Sequence, residues 1–156
     1  MNEALLQRLA TLEGESAVRR LMARYMDLCD VPRAPVEARD LAQLFTEDAI
    51  WEGLGTQTAQ TFGQHRGREA IAAFVAGYLP PSDHFQLNLH YLTSESIVVD
   101  GEGAQGQWIM QQISTYADGR NELFGTRLNI DFRCIDGVWL IAHFRTQRLF
   151  NTELNA

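Results

Sequence analysis

Cysteine is scarce in this chain, with only Cys29 and Cys134 among 156 residues. Two thiols so far apart are too few for a disulfide framework, and their apolar neighbours suit buried free thiols. Long apolar runs are missing too. No stretch approaches the ~20 residues that a membrane span needs. The opening Met1-Asn-Glu-Ala-Leu-Leu-Gln-Arg8 places charges where a signal peptide requires an unbroken apolar core. These absences predict a cytoplasmic protein. Basic clusters are lacking as well. The net charge is −7, and no cationic run is suited to track a phosphate backbone, so nucleic acid is not an expected partner.

Phosphate-loop and metal signatures are equally absent. Gly53, Gly55, Gly63 and Gly67 lie in no strand–GxGxxG–helix pattern and no Gly-Lys-Ser element. The four histidines lack paired helical spacing, and neither cysteine has a second one nearby. His84, six residues before His90, is therefore not expected to ligate a metal. No serine sits in a nucleophile elbow. The expectation is chemistry without metal or cofactor.

What is present suits one folded domain spanning residues 1–156. Hydrophobic residues at 46% and charged residues at 21% exclude extended disorder, and the length allows one full core but not two. Leu5, Leu6, Leu9 and Leu12, then Val18, Leu21, Met22, Tyr25 and Cys29, recur at helical steps. Gly14 is a potential kink or break, and Pro32 ends the run. A short helix is predicted over Val36–Phe45 and another over Arg68–Leu79, stopping at Pro80-Pro81. Between them, Ala49–Glu52 reads as a short strand, followed by a Gly/Thr/Gln-rich loop from Gly53 to Gly67. Strands follow over 84–100, 104–116, 122–134 and 138–149, divided by turns at Asp100-Gly101, Asp118-Gly119 and Asp136-Gly137. Helices first and an antiparallel, meandering sheet afterwards make an α+β arrangement.

Within 122–134, Phe124, Thr126, Leu128, Ile130, Phe132 and Cys134 share one face, opposite Arg127, Asn129, Asp131 and Arg133. Straight alternation in the last strand sets Trp139 and Ile141 beside His143 and Arg145. Such a mixed face predicts a subunit interface.

Tyr25, Asp30 and His90 are the candidate catalytic residues. A phenol one turn before a helix-ending carboxylate meets a strand-borne imidazole only if the sheet folds back over that helix. A His–Asp pair with a phenolic donor then suits abstraction of a proton next to a carbonyl or leaving group. Each residue also has a plainer use. Asp30 can pair with Arg24 or Arg33, His90 can be a satisfied strand residue, and Tyr25 falls on the apolar stripe of its helix. Trp51, Phe74, Trp108, Met110, Phe124, Leu128 and Phe144 are candidates for an apolar pocket wall, and most would also serve as core.

Five pieces together resemble the scytalone dehydratase-like and SnoaL-like branches of the nuclear-transport-factor-2-like superfamily. They are the helix end Tyr25–Asp30, Leu41-Ala-Gln-Leu-Phe-Thr-Glu-Asp-Ala-Ile-Trp-Glu-Gly53, Gly67-Arg-Glu-Ala-Ile-Ala-Ala-Phe74, His90 eleven residues before Gly101, and Asp136-Gly-Val-Trp-Leu-Ile-Ala142. The resemblance implies a cone of about three helices closed by a strongly curved sheet around an apolar pocket. Dehydratases and a dehydrochlorinase of this superfamily place a His–Asp pair where His90 and Asp30 fall. A bile acid dehydratase among them also has tyrosine at the position of Tyr25, whereas the dehydrochlorinase has lysine there. The implied activity is that of a cofactor-free lyase or isomerase on a small hydrophobic cyclic hydroxy or carbonyl compound. A ligand-binding module, or a structural subunit like a dioxygenase small subunit, is the alternative. Relatives with the dyad are often trimers and many other members are dimers, so a homodimer or homotrimer is expected. One departure stands out. Relatives often place a pocket arginine five residues after the tryptophan of the last strand, where this chain has Phe144. A bulge that turns Arg145 inward, or Arg148 reaching in from the strand end, would replace it.

Overall fold

The structure, a computed structural model, describes residues 2–154. Helix α1 (Glu3–Cys29) is continuous. The Asn2 side chain caps it by accepting the Ala4 N–H at 2.9 Å, which satisfies one of the unpaired donors of the first turn. Gly14 does not break the helix. It lies where α1 crosses the sheet: a Cβ there would sit 3.1 Å from Val99 Cγ1 and 3.2 Å from Trp139 Cζ2. The residue allows a close approach of α1 to the sheet.

Helix α2 (Ala38–Ala42) is shorter than its sequence pattern suggests, because Phe45 already opens strand β1 (Phe45–Gly53). The expected loop from Gly53 to Gly67 instead contains helix α3 (Thr56–Phe62) and a short strand β2 (Gln64–Arg66). Buried Thr58 and the edge-on contact of Phe62 with Trp51, at 5.7 Å between ring centroids, fix α3 to the body. Helix α4 (Arg68–Ala76) ends before Leu79, and the chain turns through residues 77–81.

Four long strands follow: β3 (Phe85–Asp100), β4 (Gly103–Tyr116), β5 (Asn121–Ile135) and β6 (Val138–Glu153). Their Asp-Gly turns are where the sequence placed them. Gly119 and Gly137 have φ of 85° and 80°, a region that costs glycine little and other residues more. β1 lies parallel to β6 and antiparallel to β2, so the six strands run β2-β1-β6-β5-β4-β3. The sheet is mixed, mostly antiparallel, and curled around the helices without closing. The fold is α+β as expected, with α3 added to the three helices foreseen.

Val18, Met22 and Met26 of α1 pack with Phe45, Leu128, Ile130, Phe132 and Ile141 of the concave sheet face to form the main core. The β5 alternation holds. The β6 alternation does not. Asp131 pairs with His143 while Phe132 pairs with Ile141, leaving Ala142 as an extra residue. This bulge resets the phase of the strand and increases its bend. Trp139 and Ile141 consequently face α1 and the core, whereas His143 and Arg145 face outward. The mixed face expected of these four residues does not form.

The outward groups satisfy one another. His143 Nε2 is 2.7 Å from Glu52 Oε1, and Arg145 Nη2 lies 2.8 Å from both Asp131 Oδ2 and His143 Nδ1. Gln64 donates to Glu52 Oε2 at 2.8 Å. Burial pushes Glu52 up. The hydrogen bonds from Gln64 and His143, with the charges of His143 and Arg145, outweigh it and hold this carboxyl below its usual range. No helix among the described residues is long and apolar enough to cross a membrane.

Candidate functional site

The end of α1 meets β3 through main-chain bonds. Val31 N donates to Asn88 O at 2.9 Å, and Asn88 N donates to Val31 O at 2.9 Å. This antiparallel bridge sets Asp30 beside His90. One oxygen, Asp30 Oδ1, accepts both the His90 backbone N–H at 3.0 Å and ring Nδ1 at 2.8 Å. A carboxylate can only accept, so Nδ1 carries the hydrogen and the neutral ring leaves Nε2 as its acceptor. His90 is largely buried and Asp30 one-third exposed. The pair is in contact.

Tyr25 lies one turn before this junction, buried in the wall of the same cavity. Its hydroxyl oxygen accepts the Trp51 indole N–H at 3.2 Å, so the phenol's own hydrogen stays available to donate. Burial, then the neighbouring Cys29 thiol, pushes the Tyr25 phenol well above its ordinary value, against the lowering bond from Trp51. The group therefore remains a neutral donor across the physiological range. Burial likewise pushes Cys29 up to about 12, which leaves a thiol with negligible nucleophile content.

The cavity between α1, α3, α4 and the concave sheet face measures about 290 Å³. Trp51, Phe74, Met110, Phe124, Leu128 and Phe144 line it, with Tyr25 and His90 at its wall. Trp51 stacks on Phe144, the rings 5.5 Å apart at 5°, and Phe74 tilts against Trp51 at 5.0 Å. Trp108 is a correction. Its ring folds back over Gly106, where the absent side chain leaves room, and meets Phe132 edge-on at 6.3 Å. Its indole N–H donates to Glu95 at 3.3 Å. It is core, outside the cavity lining.

Of the two arginines that the sequence left open, Arg148 lines the cavity and Arg145 does not. The Ala142 bulge places Phe144, Thr146 and Arg148 on the concave face. His84 stands at the cavity wall among aromatic rings, 5.3 Å from Tyr78 and 5.6 Å from Tyr116 between centroids.

Three site residues escaped the sequence reading: Asn88, Gln112 and Ser114. Asn88 Oδ1 accepts from Gln112 Nε2 and Ser114 Oγ, each at 2.8 Å. Both bonds fix the amide so that Nδ2 faces His90 Nε2, at 3.5 Å. The signal was present in the alternation. Asn88 stands two residues before His90, and Gln112 and Ser114 continue the inward phase of Met110, so polar side chains occupy an otherwise apolar face.

A curled α+β cone enclosing a largely apolar cavity, with an imidazole–carboxylate pair at its wall, defines a nuclear-transport-factor-2-like protein. Residues 10–145 match the SnoaL-like domain family, and the chain belongs to that family. Among solved structures it is similar to a hexachlorocyclohexane dehydrochlorinase, LinA type 2, at 20% identity and a TM-score of 0.77, covering 97% of this chain and 93% of the other. A candidate scytalone dehydratase from Novosphingobium aromaticivorans is similar at 19% identity and a TM-score of 0.75, with 93% and 90% covered. A nuclear-transport-factor-2-like protein with a cystatin-like fold from the same organism shares 25% identity, a TM-score of 0.72, and coverage of 93% and 88%. No curated protein matches. At these identities the structural likeness establishes a common fold.

Proposed function

We propose that this protein is a cofactor-free lyase or isomerase acting on a small hydrophobic cyclic hydroxy or carbonyl compound. His90 Nε2 takes a proton from a carbon next to the substrate carbonyl. Asp30 fixes the ring tautomer and stabilises the imidazolium that forms. Tyr25 donates its O–H to the carbonyl oxygen as charge develops there. Trp51 supports this by donating to the phenol oxygen, which strengthens the outgoing bond. In dehydration, the enolate expels a β-hydroxyl that leaves as water with the proton from imidazolium. In isomerisation, His90 returns the same proton to a different carbon. Both outcomes begin with one abstraction.

The observation that carries the reading is the 2.8 Å contact of His90 Nδ1 with Asp30, on a residue that also lines an open apolar cavity of about 290 Å³. A purely structural subunit would have no need of either. The chain would act as a homodimer or homotrimer. The half-exposed Leu5, Leu6, Leu9 and Leu12 on α1 offer an apolar surface for that contact. Screening cyclic hydroxy-ketones, steroids and polyketide fragments for water loss, double-bond migration or deuterium uptake from D2O tests the activity. Compounds that raise the melting temperature yet show none of these changes would favour a ligand-binding module instead.

A further inference from the structure

We infer that Arg148 is an anion-binding end of the cavity, and that the ligand is a cyclic carboxylic acid whose carboxylate sits on Arg148 while its ring reaches His90. This deepens the proposed activity and rests on the same cavity being the ligand site.

Arg148 is tied down at its main chain, where its N–H donates to the buried Thr58 hydroxyl at 3.0 Å. Its guanidinium lies over the Phe124 ring, 4.5 Å from the centroid. The ring attracts the cation to its face, and a planar guanidinium matches a planar, two-oxygen acceptor. Among the described residues the guanidinium has no ion-pair or hydrogen-bond partner. Glu122, the carboxylate beside Tyr116 in this region, is already held by Arg120 at 2.5 Å and by the Tyr116 hydroxyl at 3.4 Å. Arg145 gives the contrast, since Asp131 and His143 saturate it on the outer face. A ligand carboxylate would give this cavity-lining cation the charge partner that the chain does not supply among the described residues.

The sheet register gives the ligand a length. His90 pairs with Gln112 and Gln112 with Phe124, while Met110 pairs with Thr126 and Thr126 with Arg148. Three strand steps of ~4.8 Å and a two-residue stagger of ~7 Å separate the two backbones, roughly 16 Å across the sheet. Side chains converging from a concave face shorten that gap, and a ligand of one or two fused rings is the length proposed to bridge it. Met110, Phe124 and Thr126 floor the space between. The acid group would therefore sit across the ring system from the carbon that loses its proton.

The test measures binding of 2-naphthoate and uncharged 2-naphthamide by calorimetry at neutral pH and low salt. The wild type should prefer the acid by about tenfold, the value of one charge-assisted pair. Arg148→Met and Arg148→Gln should bind the amide as the wild type does and lose the preference. Arg148→Lys should keep part of it. His90→Gln should keep all of it, so this result stands even if no turnover is ever found. Equal affinity of wild type for the two probes, no binding of the acid, or a preference that survives both Arg148→Met and Arg148→Gln would overturn the inference. So would loss of the preference in His90→Gln.

Discussion

Asp30 has arginines near it in sequence on both sides and pairs with neither. Arg24 and Arg33 both turn to Asp27, at 3.0 Å and 3.9 Å, so the carboxylate that ends α1 is left to His90. Around it, burial sets the state of each group. Cys29 and Tyr25 are both raised, and a group whose folded value lies above its unfolded one stabilises fully below the unfolded value. That stability is lost as pH rises toward the folded value. Unfolding free energy should thus fall between about pH 9 and pH 12 as Cys29 ionises in the unfolded chain, by up to about 1.4 kcal/mol per pH unit, with Tyr25 adding to the fall only above about pH 10. Cys29→Ala should flatten this slope in urea titrations at stepped pH. At neutral pH a thiol reagent should modify half-buried Cys134 and spare Cys29 until the chain unfolds. Tyr25→Phe should cost roughly 2 kcal/mol in kcat/KM for a known substrate through one lost bond to a charge-bearing oxygen, with the fold retained. The His90–Asp30 contact was legible through the family resemblance, because each residue alone also suits a plainer use, an arginine pair at a helix end or a satisfied strand histidine. Trp108 was misplaced because alternation gives the side of the sheet but not which way along the strand a ring lies. Gly106 decides that.

At the element scale, two irregularities shape the site. The Ala142 bulge sets which β6 side chains enter the cavity, and nothing in the run Trp139–Arg145 marks it, because apolar and polar residues there fit either phase. Helix α3 was hidden for a different reason. Thr56–Phe62 has no apolar stripe of its own, and it is held by tertiary contacts of Thr58 and Phe62. The main strands and their Asp-Gly turns were legible, since period-two burial and left-handed glycines leave a direct trace. Gly14 shows the opposite case, a glycine whose use appears only in packing. A branched side chain there would meet Val99 and Trp139, so Gly14→Val should lower stability by about 2–3 kcal/mol through overpacking. Gly14→Ala should be nearly neutral, because a helix-propensity gain of about 1 kcal/mol offsets the tight contact. Urea denaturation of both variants separates the two effects.

For the whole molecule, the helices hold one wall of the cavity and the curled sheet holds the other, and only the sheet's return over α1 brings residue 90 to residue 30. The oligomer expectation changes its basis at this scale. The outer charges of β6 are internally paired, whereas four leucines of α1 remain half-exposed. Sedimentation should show a species heavier than the 17.6 kDa chain, and Leu5→Ser with Leu9→Ser and Leu12→Ser should shift it toward monomer.

The central claim is that His90 and Asp30 act as one proton-abstracting unit. The most direct measurement is the turnover of a screened substrate by His90→Gln, Asp30→Asn and the double variant, with circular dichroism to show retained fold. His90→Gln should lose about 10²–10⁴-fold. The double variant should be little worse than His90→Gln alone, because residues sharing one role are not additive. Turnover by His90→Gln at the wild-type rate, or fully additive losses, would contradict the account.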